Sequence, residues 1–119
     1  MPYIHLCTNR EISGEKGEKL KSCFGKRIEL IPGKSEQWLM VRIEDNCRLW
    51  FAGGNSPAAI MTLKAFGGEL RGECYDALTS ALIGDVSTEL DIPEDRIYIE
   101  YENTMHWGWN GRNFGTGKA

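Results

Sequence analysis

The sequence predicts an α+β fold in which two β-α-β units, related by a pseudo-twofold, build one four-stranded mixed sheet with both helices on a single face. Three observations carry that reading. Two stretches, residues 14–31 and 75–90, place apolar side chains near helical spacing, and each lies between strand-like runs rich in branched and aromatic residues. The second half of the chain repeats the order of elements of the first, with little residue identity between them. Right-handed crossovers then make the strands of each unit parallel and send both helices to the same side.

Each element has its own signal. Residues 2–8 alternate as a strand, and Ser13-Gly14-Glu15-Lys16 opens an amphipathic helix on which Leu20, Cys23, Phe24, Ile28 and Ile31 recur. Pro32-Gly33-Lys34 stops that helix, and residues 38–43 read as a strand of bulky side chains. After a turn at Asp45-Asn46, residues 48–52 read as a short strand ended by Gly53-Gly54-Asn55-Ser56-Pro57. Residues 58–66 are the next strand, broken by Gly67-Gly68. Tyr75, Leu78, Leu82, Val86 and Leu90 mark the second helix, which Asp91-Ile92-Pro93-Glu94-Asp95 ends. The strand over residues 96–102 puts Ile97, Ile99 and Tyr101 on one face and Tyr98, Glu100 and Glu102 on the other. Apolar residues on both sides of these strands, with two helices to cover one side, lead us to expect a homo-oligomer.

Composition narrows the function classes. With 119 residues, 41% hydrophobic and 26% charged, the chain is expected to be one domain, residues 1–119. No apolar run approaches the roughly 18 residues that span a bilayer, and no charged-then-apolar leader opens the chain, so a cytoplasmic protein without membrane contact is the expectation. The net charge of −3 and the lack of a Lys/Arg cluster interleaved with aromatics argue against nucleic acid as partner and for a small molecule. Cys7, Cys23, Cys47 and Cys74 are scattered without a CxxC pair, and neither His5 nor His106 has metal-ligand spacing. Buried free thiols, with no metal and no cofactor, are expected.

The residue richest in chemistry is Pro2. Removal of Met1, favoured by the small residue that follows it, converts the Pro2 imide into a secondary amine at the head of a strand. A terminal amine starts near a pKa of about 8, and an apolar, cation-lined pocket lowers it by disfavouring the ammonium form, which suits a general base near neutral pH. While Met1 remains, the nitrogen has no basic lone pair. The far end of the chain supplies aromatic walls: Ile97-Tyr98-Ile99-Glu100-Tyr101, then Trp107-Gly108-Trp109-Asn110-Gly111-Arg112-Asn113-Phe114.

Pro2, Pro32-Gly33-Lys34, Phe51-Ala52-Gly53-Gly54, Ile92-Pro93-Glu94-Asp95-Arg96-Ile97-Tyr98-Ile99 and Gly108-Trp109-Asn110-Gly111 with Phe114, in that order and spacing, resemble the macrophage migration inhibitory factor family of the tautomerase superfamily. The resemblance implies a homotrimer whose three sheets form a barrel around a central channel, with an active site at each subunit interface. It implies cofactor-free keto–enol tautomerisation of arylpyruvates such as phenylpyruvate. Pro2 would be the base and Lys34 the anchor for the substrate carboxylate, Phe66 would contribute a backbone N–H, and Tyr98 would come from the neighbouring subunit. Trp107, Trp109 and Phe114 would line the aromatic slot, with Tyr3 and Trp38 adding to its walls. Such chemistry needs a base near neutral pKa, a cation or N–H donor for developing negative charge, and an apolar slot for the ring.

Two positions depart from the family. Glu100 stands where the vertebrate cytokine has an asparagine that contacts substrate, so a carboxylate there would pair with Lys34 or repel a substrate carboxylate. Ala58-Ala59-Ile60-Met61 stands where that cytokine has a CxxC pair, which removes thiol–disulfide exchange through that motif. The leading expectation is an isomerase. The alternatives are a cytokine-like signalling protein with a residual pocket, exported without a signal segment and acting by receptor contact, and a trimer whose pocket is vestigial.

Overall fold

The alternation in the first strand becomes β1 (Tyr3–Thr8) in the computed structural model, which describes residues 1–67 and 70–115; Gly68, half of the expected Gly-Gly break, lies outside them. Ile4, Leu6 and Thr8 are buried while Tyr3, His5 and Cys7 stay half-exposed on the other face. The first helix, α1 (Gly14–Arg27), starts at Ser13, whose hydroxyl accepts the Lys16 backbone N–H at 3.1 Å, a cap that contributes about 1 kcal/mol. A 3-10 turn at Ile28–Leu30 continues it, so that Ile28 and Ile31 still reach the core as their spacing predicts.

A second 3-10 turn, Glu36–Trp38, replaces the start of the expected strand, and β2 (Met40–Glu44) begins two residues later. Residues 48–52 do not form a strand. Phe51 and Gly54 exchange an isolated bridge instead, with Ala52 at φ 56° and Gly53 at φ 79° turning the chain too tightly for a ladder. Then follow β3 (Ala59–Phe66), α2 (Gly72–Leu90), a 3-10 turn at Glu94–Arg96 and β4 (Ile97–Thr104). Asp91 closes α2 in the left-handed region at φ 56°, and Pro93 follows, as a helix end requires.

The sheet order is β2-β1-β3-β4, with β1 parallel to β2, β3 parallel to β4, and β1 antiparallel to β3. This is the mixed four-stranded sheet read from the sequence. Both helices pack on one face, because a single core joins Leu20, Phe24 and Ile28 beside α1, Leu78, Leu82 and Val86 of α2, and the inward rows Ile4, Leu6 and Met61, Leu63. Each such fully buried side chain contributes roughly 1.5–3 kcal/mol. Arg27 Nε and Nη2 donate to the two Asp85 oxygens at 2.9 Å each, clasping α1 to α2.

The face away from the helices mixes the two chemistries. Met40, Ile60, Phe66 and Tyr98 give it the apolar side chains expected there, and between them lie Tyr3, His5, Cys7, Arg42, Glu44, Thr62, Lys64, Glu100 and Glu102, with His5 to Glu44 at 2.6 Å, Arg42 to Glu44 at 3.4 Å and Lys64 to Glu102 at 4.0 Å. All four cysteines are free, and Cys74 alone is buried; Cys7, Cys23 and Cys47 are half-exposed because they sit on the open face, on the flank of α1 and after β2.

An element that the sequence reading did not include closes the described chain. The hairpin of β5 (His106–Trp109) and β6 (Arg112–Gly115) turns at Asn110 and Gly111, with φ of 54° and 76°. An Asn-Gly pair between aromatic residues is the standard two-residue hairpin signal, since both positions need positive φ.

Candidate active site

Pro2 sits immediately before β1, buried, with its carbonyl accepting the Met40 backbone N–H at 3.1 Å. That bond fixes the start of the chain against β2. An open cleft of about 530 Å³ lies there, lined by Met1, Pro2, Tyr3, Gln37, Trp38, Leu39, Met40, Trp107, Gly108 and Trp109. Five of the residues picked from the sequence, Pro2, Tyr3, Trp38, Trp107 and Trp109, therefore line one cavity. They come from three separate places: the head of β1, the 3-10 turn Glu36–Trp38 with the entry to β2, and β5.

The aromatic wall is ordered by ring contacts. Trp38 and Trp109 meet edge to face at 5.3 Å and 87°, the arrangement that ring quadrupoles prefer. Trp109 also meets Phe114 of β6 at 6.3 Å, and the Arg112 guanidinium lies 5.7 Å from the Phe114 ring centre. Phe114 thus backs the wall rather than lining the cleft. The register pairs Trp107 with Phe114 and Trp109 with Arg112, which holds both tryptophans on the one strand that faces the cleft. Gln37, Leu39, Met40 and Gly108 also line it and were not read from the sequence; Gln37 and Leu39 flank Trp38 and follow from placing it.

Lys34 follows a turn in which Gly33 adopts φ 83°, and its backbone N–H donates to the Ile31 carbonyl at 3.0 Å. It precedes the lining Gln37 by three residues but is not itself a lining residue. Phe66 ends β3. Because Tyr3 pairs with Lys64 in antiparallel register, continuing that register by two residues sets Phe66 beside Met1, at the same sheet end as the cleft.

Tyr98 and Glu100 lie elsewhere in the chain. Tyr98 is level with Ile60, and Ile60 with Cys7, so Tyr98 is two strands over and five residues along from Pro2. At strand spacings of about 4.8 Å and rises of about 3.3 Å, that separation is on the order of 20 Å. Tyr98 is 60% exposed and meets Phe51 edge to face at 5.0 Å; Glu100, level with Thr62 and His5, is exposed on the open face. One chain does not bring either of them to Pro2.

A second hollow of about 530 Å³, lined by Asn9, Arg10, Glu11, Ser13 and Lys16, has no aromatic wall and none of the residues picked for chemistry. Among the described residues no group of His, Cys, Asp and Glu is arranged to hold a metal ion, and no helix is long and apolar enough to cross a membrane.

Known proteins resemble the chain throughout. The family model described as macrophage migration inhibitory factor matches residues 1–115. The macrophage migration inhibitory factor of Meriones unguiculatus is 32% identical over 118 residues, covering 96% of this chain and 99% of that protein. A homologue from Trichinella spiralis is 30% identical over 116 residues, covering 96% of this chain and all of that one. Among solved structures, Leishmania major MIF2 superposes with a TM-score of 0.89 at 28% identity, over 96% of this chain and 97% of that one. The homologue from Prochlorococcus marinus gives 0.85 at 29%, over 95% and 99%.

Proposed function

This chain belongs to the macrophage migration inhibitory factor family, and from that premise we propose that it is a cofactor-free keto–enol tautomerase of phenylpyruvate-like enolisable acids. The observation that carries the proposal is the position of Pro2, buried at a cleft walled by Trp38, Trp107 and Trp109. Once Met1 is removed, the Pro2 amine takes a proton from the carbon beside the substrate ketone and the enol oxygen gains one; in the reverse direction the protonated amine delivers its proton to that carbon. The tryptophans hold the aryl ring and exclude water, which disfavours the ammonium form and keeps the amine available as a base. Lys34, three residues from the lining Gln37, steers and holds the substrate carboxylate, and the Phe66 backbone N–H lies at the same end of the sheet.

Tyr98 and Glu100 join the site from a neighbouring copy in a homotrimer. Their separation from Pro2 within one chain supports that assignment, as does the exposure of Tyr98. Glu100 then bears on substrate choice, because a carboxylate beside an anionic substrate selects for smaller or less charged acids unless Lys34 neutralises it. The test is the rate of phenylpyruvate ketonisation by the Met1-free protein and by Pro2→Gly. A loss of about 100-fold is expected, at the low end for general-base catalysis because glycine keeps a terminal amine; an unchanged rate rejects Pro2 as the base. A second reading, a binding protein that signals through its surface, draws on the relatives' names, which record an effect on macrophages, and it gains ground if no enolisable acid is turned over.

A further inference from the structure

We propose that Cys7 and Cys47 are a redox modification site, closing reversibly to an intrachain disulfide when the protein meets a hydroperoxide. The backbone brings the two residues together. Cys7 lies on β1 opposite Glu44 of β2, and after β2 the chain turns at Asn46, φ 55°, back against the end of β1. There Asn46 N–H donates to the Arg10 carbonyl at 3.0 Å and Cys47 N–H donates to the Thr8 carbonyl at 2.9 Å, which seats Cys47 beside the residue that follows Cys7. The Cys47 Sγ stands 3.7 Å from the Glu44 carbonyl, and Glu44 is the residue paired with Cys7. The Cys7 thiol feels Cys47 as a direct neighbour. Both are half-exposed, so a small oxidant reaches them, whereas Cys74 is buried.

The order of reaction follows from the surroundings. Burial, then the hydrogen bond and charge of Cys47, then the Glu44 carboxylate push the Cys7 thiol up to about 12, which outweighs the opposing pull of Arg42. A thiol so held is a poor first nucleophile. Cys47 Sγ therefore attacks one peroxide oxygen, the O–O bond breaks, and one water leaves, giving a sulfenic acid on Cys47. Cys7 Sγ then attacks that sulfur, the S–O bond breaks, and the Cys7 proton departs with the hydroxyl as a second water. Two thiols lose two electrons and two protons, and one hydrogen peroxide becomes two waters.

The experiment treats the full chain with hydrogen peroxide, alkylates it under denaturing conditions, and maps peptides by mass, with and without later dithiothreitol. The expected result is loss of two hydrogens, a Cys7–Cys47 cross-linked peptide, Cys23 and Cys74 still fully alkylated, and restoration of all four thiols by dithiothreitol. Cys7→Ser accumulates a dimedone-reactive sulfenic acid on Cys47 and forms no cross-link. Cys23→Ser/Cys74→Ser oxidises as the wild type does, and where that variant fails to fold the wild-type peptide map decides alone. Full alkylation of Cys7 and Cys47 after peroxide, added oxygen on Cys47 without a cross-link, or a cross-link only between chains overturns the proposal.

Discussion

Pro2 is buried and its carbonyl accepts the Met40 backbone N–H, so its own nitrogen takes no part in that bond and is left for chemistry once Met1 is gone. The place of Pro2 before the first strand was legible in the sequence, and its chemistry is a proposal that rests on removal of Met1, since only then does a proline there become a secondary amine. The cysteines are free as expected and Cys74 is buried, but Cys7, Cys23 and Cys47 are half-exposed, because a cysteine's type does not say which face of a strand or helix it occupies. Cys7 also has a pH consequence. Its folded-state pKa is raised from 9.0 to about 12 by burial and by Cys47, so the fold gains from the neutral thiol below pH 9 and loses that gain as pH rises from 9 towards 12. In chemical denaturation, Cys7→Ser is predicted to fall less steeply with pH across that window than the wild type does; identical slopes would remove the effect.

The elements divide into those that periodicity specifies and those that turn chemistry specifies. The sequence marked β1, α1, β3, α2 and β4 because each keeps one face in the core, and burial enforces the period. Residues 38–39 and 48–52 were misread as strand, since aromatic and branched residues there satisfy strand propensity while tight turns claim the backbone. The β5–β6 hairpin was passed over although Asn110-Gly111 announces it, and it positions two of the three tryptophans of the cleft. Gly111→Val forces a branched residue to φ 76°, at a cost of about 1–2 kcal/mol. It is predicted to raise KM for an aryl substrate several-fold with a smaller change in kcat, as steady-state kinetics would show. Between the helices, Arg27→Ala strips both hydrogen bonds from a largely buried Asp85 and is predicted to cost about 2 kcal/mol in urea unfolding. Arg27→Ala/Asp85→Ala should cost less than the sum of its single variants, because the stranded carboxylate is gone.

At the scale of the whole molecule, the architecture was legible and the completeness of the site was not. The parallel pairing within each unit and the shared side of the helices follow from two crossovers of fixed hand, while the order β2-β1-β3-β4 was not read; spacing along the sequence also hides that Tyr98 stands on the order of 20 Å from Pro2 in the same chain. A site shared between copies predicts complementation. Pro2→Gly and Tyr98→Ala chains, each weakly active alone, should regain about a quarter of wild-type activity when unfolded and refolded together at equal amounts, since random trimers pair an intact Pro2 with an intact neighbouring Tyr98 at that frequency. No recovery would place Tyr98 outside the site. The central claim, that a free Pro2 amine is the base, is tested most directly by intact mass measured on the same samples as the ketonisation rate, across preparations that differ in Met1 removal. The rate is expected to be proportional to the Met1-free fraction and to fall about 100-fold in Met1-free Pro2→Gly. Full activity in protein that keeps Met1 would contradict it.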